Sequence, residues 1–511
     1  MPELSKIRGY RFLEMIPGAL VWATLLGAII LSVIRPLWAI YVILIFDFYW
    51  LVKVTYWIVY LFHSFRVYKR ESKLHWLPKV KELHGWERIR HLVVLPTYKE
   101  PLDVLVTTFE SLIASEYQLT HMMVVIGVEE GDKEHGSSVA EEIIRRYGHH
   151  FMHITYAVHP RGIPGELAGK GTNSCWAVTH IREIYIDKER IPYENIIVST
   201  FDVDTCVDRQ YFAYLTYKFL TSPKPHRTSY QPIAFFNNNL WKSNAITRIV
   251  SASTTFWLLT ELSRPERLFT FSSHSMSFKT LVEVGLWQKD IVTEDSRIFL
   301  QCFIHFNGDY TVTPLFVSVS MDTVQSDTLW GSIRALYRQQ QRWAWGVEHF
   351  PYMVWYFSKN KMIPRLKKLY YFFNLTEGMY SWATAPVLIL ILGRLPFYFA
   401  RQGERETVLA QNAPFVLERL MQVAMAGLLC TAILSMILLP KKPKDVSKWQ
   451  YVPLVFQWIL FPLTTIIFGS IPAIDAQTRL MLGKYLGFNV TPKIRKEEQE
   501  LPLHTTKEVP I

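Results

Sequence analysis

The stretch Ile196-Ile197-Val198-Ser199-Thr200-Phe201-Asp202-Val203-Asp204-Thr205 joins an apolar, β-branched run to two carboxylates at i and i+2. The run has the length and composition of a buried strand, so Asp202 and Asp204 stand at a strand's end. Outward from it, His91–Leu95, Met122–Val128 and Ile154–Val158 also read as strands. Leu102–Ala114, Ser137–Tyr147 and Asn173–Tyr185 read as helices between them. That alternation predicts an α/β domain with a mostly parallel sheet covered by helices. Ligands of such sheets lie at the carboxyl ends of the strands. Two hard-oxygen carboxylates there suit Mg²⁺ or Mn²⁺ bridging to phosphate; in an exposed turn, two close Asp need no explanation.

The α/β stretch, 84–350, occupies the middle of a 511-residue chain that is 50% hydrophobic, 14% aromatic and only 19% charged. That composition excludes general disorder. Four widely spaced cysteines, with no Cys-x-x-Cys pair, exclude a disulfide scaffold and a zinc knuckle. The formal charge is +11, yet the basic residues flank apolar segments and form no nucleic-acid motif, so a bilayer is the expected partner and nucleic acid is not. Phe12–Ile34 and Pro36–Phe62 are each long enough to span a membrane, and Lys6, Arg8, Arg11, Arg66, Lys69 and Arg70 put both ends of this hairpin (1–68) in the cytosol. Asp47 and Lys53, inside the second segment, are expected to face other helices or an interface. Beyond the domain, Val347–Phe357 reads as interfacial (351–368 by domain division). Tyr370–Leu392, Ala413–Leu439 and Tyr451–Ile474 read as spans within 369–476, before a charged tail at 477–511. Lysines at 441–448 and basic residues after 479 both ask for the cytosol, which one span between them cannot satisfy. Pro462, Gly469 and Pro472 allow a broken or re-entrant helix there. Asn374 and Asn489 match the glycosylation pattern and are read as chance matches.

Other pieces carry chemistry. Pro96-Thr97-Tyr98-Lys99-Glu100 follows the first strand, with Pro96 expected to stop it. Gly165-Glu166-Leu167-Ala168-Gly169-Lys170-Gly171-Thr172-Asn173 opens a helix; its spacing fails the P-loop pattern, but it can bring Lys170 and backbone N–H groups to a diphosphate. Thr293-Glu294-Asp295 adds a second acidic pair. Gln339-Gln340-Gln341-Arg342-Trp343-Ala344-Trp345 combines a guanidinium suited to pyrophosphate with indoles suited to a sugar face; as an amphipathic helix anchored by Trp, the same run needs no ligand.

In this order the pieces resemble the membrane-embedded family 2 glycosyltransferases, the group of cellulose, chitin and hyaluronan synthases. The resemblance implies a GT-A, Rossmann-like cytosolic domain inserted between N- and C-terminal transmembrane helices, using a nucleotide sugar (usually a UDP-sugar) and transferring it with inversion. It implies Asp202 and Asp204 as metal and nucleotide ligands, with Mg²⁺ or Mn²⁺ as cofactor, and Asp295 as general base with Glu294 beside it. Pro96, Thr97, Tyr98, Glu100, Lys170, Asn173, Gln339 and Arg342 would contact the donor, and Trp343 the acceptor. Two departures stand out. Where relatives have an Asp-rich turn after the second strand, this chain has Glu129-Glu130, so Glu129 or Glu130 is expected to meet the base, Glu129 first. Where relatives have a Gly-rich acceptor segment, it has Phe271-Ser272-Ser273-His274, so His274 is expected at the acceptor, with a core or helix-capping role as the alternative. The expected function is a processive, polysaccharide-forming enzyme of the plasma (inner) membrane with a glycan acceptor. The alternatives are single transfer to a lipid-linked acceptor or, from another class, a transporter with a nucleotide-sensing domain.

Overall fold

A computed structural model describes residues 3–444 and 446–487. Eight strands form one sheet: β1 Arg90–Thr97, β2 Met122–Glu129, β3 His153–His159, β4 Ile196–Thr200, β5 Cys206–Val207, β6 Thr228–Phe236, β7 Ser275–Ser277 and β8 Thr311–Met321, in the order β3-β2-β1-β4-β7-β6-β8-β5. The sheet belongs to a mixed α/β fold. The expectation of a mostly parallel sheet holds for β3-β2-β1-β4 and fails beyond. β7 is antiparallel to both of its neighbours and β5 to β8, while β6 and β8 run parallel. A three-residue strand of Ser, Met and Ser carries no readable pattern, which is why the reversal escaped the sequence.

Pro96 does not stop β1; it pairs with Gly127 of β2 and the strand continues to Thr97. Val94 accepts a hydrogen bond from Phe201 N at the end of β4. Residues two apart on a strand face the same neighbour, so the donor that Pro96 lacks would point to the side where β4 has already ended. The core of this sheet is fully buried: Leu92, Val93, Val94 and Leu95 on β1, and Met122–Ile126 on β2, expose nothing.

Among the described residues four helices are long and apolar enough to cross a membrane: Arg8–Ile34, Pro36–Glu71, Val408–Ile437 and Tyr451–Leu482. Arg365–Leu390 and Leu392–Phe399, bent by 48°, make a fifth if they form one span. The second helix outruns its apolar stretch, continuing to Glu71 and seating Tyr68 against Phe235 of β6. Inside it, Lys53 pairs with Glu377 of the Arg365–Leu390 helix and lies over the Trp50 and Trp57 rings. The segment read as interfacial is partly packed into the protein. Its helix starts at His349, after a 3-10 turn at Trp345–Glu348, and it buries His349, Phe350, Pro351, Tyr352, Met353 and Phe357. Aromatic residues that look like a membrane anchor in sequence serve here as core. Asn374 is tied to the carbonyl of Arg267 at 3.4 Å; Asn489 and the tail from 488 onward lie outside the described residues.

Candidate active site

Lys170 opens the helix Lys170–Ile181 and reaches across the carboxyl edge of the sheet. Its ammonium lies 2.8 Å from Asp202 Oδ1 and 2.9 and 3.1 Å from the two oxygens of Asp295. Ser272 Oγ donates to the other oxygen of Asp202 at 2.7 Å. Three residues far apart in sequence thus converge at one point. Burial disfavours the charge on Lys170, but Asp202, Asp295 and Glu294 outweigh it and raise the pKa. Side-chain exposure runs from 9% at Lys170 to 21% at Asp295 and 32% at Asp202, so the carboxylates, not the ammonium, form the face open to a ligand.

Glu294 and Asp295 head the helix Glu294–His305, and the two acids differ sharply. Glu294 is buried, and burial, followed by repulsion from Asp295, pushes its pKa up to about 8, against the pull of Lys170 and Arg342. Gly171 lets it in: a Cβ there would lie 3.0 Å from Glu294 Cγ. His274 sits behind Asp295, with Nδ1 4.0 Å from its Oδ1 and donating to Phe271 O at 2.9 Å. It is 1% exposed, and burial lowers its pKa against the pull of Asp295.

Asp202 and Asp204 diverge. Asp204 is buried and accepts a hydrogen bond from Asp322 N at 2.8 Å, across the turn that follows β8. Two carboxylates at one strand end are hard-oxygen donors of the kind Mg²⁺ and Mn²⁺ select. Among the described residues no group of three or more His, Cys, Asp or Glu side chains is gathered around a metal position. A cation here would therefore draw its remaining ligands from phosphate oxygens and water, as Mg²⁺ commonly does.

At the ends of β1 and β2 the expected donor-binding residues are mostly engaged with one another. Glu100 Oε2 accepts from Thr97 Oγ1 at 2.8 Å and from Tyr98 N. Lys99, at φ 64°, donates its N–H to Asp132 at 2.6 Å. Glu100 and Asp132 thus fix the turn that presents Tyr98. Glu129 ends β2 and meets His159 Nδ1 at 3.1 Å, whose Nε2 lies 2.9 Å from Glu166; Lys289 pairs with Glu166 at 2.9 Å. Burial works against a charged His159, but the two carboxylates raise its pKa. Asn173 Nδ2 donates to Gly127 O at 3.1 Å, a contact that a side chain at 127 would obstruct. Sequence reasoning missed His159 and Lys289; neither stands in a motif.

Gln339, Arg342 and Trp343 are half-buried on the helix Leu329–Ala344. Arg342 is near enough for its charge to act on Glu294, and Trp343 packs on Phe236 with ring centroids 5.7 Å apart. Trp345 is 1% exposed and donates Nε1 to Glu348 at 2.9 Å, which rules out an interfacial role for it.

Comparison with known proteins adds the following. Residues 197–401 match the family model described as glycosyl transferase family group 2. No curated protein matches the chain by sequence. Among solved structures it is similar to the mannosyltransferase PcManGT from Pyrobaculum calidifontis in complex with GDP-Man and Mn²⁺, at 13% identity and TM-score 0.42, over 84% of this chain and 100% of that one. It is also similar to S. aureus TarS 1-349 in complex with UDP-GlcNAc, at 10% identity and TM-score 0.35, over 78% and 94%.

Proposed function

We propose, from the family 2 glycosyltransferase domain carried at 197–401, that this enzyme is membrane-embedded. In this reading it transfers a sugar from a nucleotide sugar, with inversion, onto a growing glycan at the cytosolic face of the plasma membrane. The observation that carries the reading is the convergence of Asp202, Asp295 and Lys170 at the carboxyl edge of the sheet, beside the helix that bears Arg342 and Trp343. Asp295 is the partly open carboxylate and serves as the base for the acceptor hydroxyl. Neutral Glu294 backs it without adding a second charge. Arg342 supplies fixed positive charge where the departing diphosphate gathers negative charge, and Lys170 holds the Asp202 and Asp295 carboxylates in place. Asp202 and Asp204 would hold Mg²⁺ or Mn²⁺, which supplies Lewis-acid stabilisation of the diphosphate when bound. Thr97, Tyr98, Glu129 and Asn173 border the nucleotide end, and Trp343 the acceptor end.

The test is turnover by purified protein in lipid nanodiscs, offered UDP- and GDP-sugars with Mg²⁺ or Mn²⁺. Nucleoside diphosphate release with long polymer is the expected result. A singly glycosylated lipid would replace polymerisation with lipid glycosylation, and absence of turnover with every donor would remove the enzymatic reading of this site.

A further inference from the structure

The helix that carries Glu294 and Asp295 begins at Thr293, whose own side chain caps nothing. Its position is fixed from outside. Glu348 Oε1 accepts both the backbone N–H of Thr293, at 3.3 Å, and the Thr293 hydroxyl. The other oxygen of Glu348 accepts Trp345 Nε1 at 2.9 Å. One buried carboxylate therefore ties the first turn of the Asp295 helix to the turn that ends the Gln339–Trp343 helix.

A second set of bonds locks the same joint. Arg297, one turn along from Thr293 and 1% exposed, donates Nη2 to Glu348 O at 3.0 Å and Nε to His349 Nδ1 at 3.1 Å. Because His349 Nδ1 accepts, its Nε2 carries the proton and donates to Ser296 Oγ at 2.7 Å. Arg297 also donates Nη1 to Gln288 at 2.8 Å, and its guanidinium lies 4.0 Å from the Tyr352 ring centre. Burying a carboxylate and a guanidinium is costly unless each is fully bonded. An apolar joint would hold the helices together at no such cost, but dispersion does not set a direction as bonds do.

We infer that Glu348 is a positioning residue for the transfer: its carboxylate sets where Asp295 stands relative to Arg342 and Trp343 by bonding Thr293 and Trp345 at once. The inference rests on Asp295 being the base. Displacing a catalytic group by about an ångström costs on the order of a hundredfold in rate, with no requirement that donor binding change.

The test uses full-length protein and steady-state transfer from whichever donor of the UDP- and GDP-sugar panel the wild type turns over. Glu348→Gln presents an N–H to a donor, and Thr293→Val removes the hydroxyl. Each should lower kcat by roughly tenfold to a hundredfold, while KM for the donor and Kd for UDP and GDP stay within about twofold. Thr293→Ser keeps the hydroxyl and should restore most of kcat. The double variant should lose no more than the worse single one, because the two residues act as a unit. Unchanged kcat, a parallel loss of nucleotide affinity, multiplicative losses, or equal damage from Ser and Val would each overturn the inference. If Glu348→Gln fails to accumulate folded, the Val and Ser variants at 293 decide alone. Asp295→Asn in the same assay separates the premise from the inference. Its activity surviving sinks the base assignment, whereas its collapse beside an intact Glu348→Gln sinks only the positioning role.

Discussion

Asp295 and Glu294 are adjacent in sequence, yet one is partly open and held by Lys170 while the other is buried and held neutral. Asp295→Asn keeps the shape and removes the proposed base, so transfer should fall by roughly 10²–10⁴-fold with nucleotide binding retained; a loss under about tenfold would move the role to Glu294. Glu294 has a separate signature in stability. Its pKa rises from 4.5 to about 8 on folding, so between those values the folded chain holds a proton that the unfolded chain has released. The stability it contributes therefore falls as pH rises through that window. Thermal melts of the wild type should drop from pH 5 to 8 more steeply than those of Glu294→Gln, and parallel curves would show that Glu294 is ionised throughout. Gly171→Ala presses a methyl group on Glu294 Cγ and should lower both melting temperature and kcat, with turnover and melts of one preparation as the measurement.

The elements were unequally legible. β1, β2 and β4 stood out because buried parallel strands are continuous β-branched runs, half-buried β3 by its Ile, Thr, Tyr and Val, and the Ile196–Thr200 boundaries coincide with the strand found. β7, three residues long, had no pattern to give. In the candidate site, the acidic pairs and Lys170 could be picked out as residue types at strand and helix ends, but their meeting could not, since Lys170 and Asp295 are 125 residues apart. Neither could Glu348 or Arg297, whose partners lie about fifty residues away and follow no helical or strand period. The two indoles at the end of the Leu329–Ala344 helix looked alike in sequence, and the fold separates them. Trp343→Ala should weaken elongation strongly, with UDP and GDP affinity and melting temperature nearly unchanged. Trp345→Ala opens a core cavity and frees a buried carboxylate oxygen, a loss of about 3–5 kcal/mol by analogy with other buried Trp truncations. Equal, mild losses at both positions, normalised to folded protein, would end the acceptor role of Trp343.

Across the whole molecule, the Tyr451–Leu482 segment touches the α/β domain near both of its ends. At its start Tyr451 meets Trp241, and Gln457 accepts from Arg248 at 2.9 Å. At its end the Leu480 and Met481 carbonyls accept from Arg11, while Tyr485 packs on Trp345 and bonds Glu14 at 2.7 Å. Midway, Asp475 accepts from Gln341 and pairs with Arg479. Both ends therefore abut the catalytic body. Cysteines placed at Lys444 and Lys484 should react with a membrane-impermeant maleimide from the catalytic side, and one at Gln402 from the opposite side; labelling of 444 and 484 from different sides would put the segment across the bilayer. The same closure has a consequence for biosynthesis. Edge strand β5 cannot pair until β8 has been made, and the bond between Tyr485 and Glu14 joins the two ends of the described chain only later still. In chain order the two N-terminal helices come first, the sheet is complete once β8 has been made, and the contacts of the Tyr451–Leu482 segment with Arg11 and of Tyr485 with Glu14 close over it afterwards.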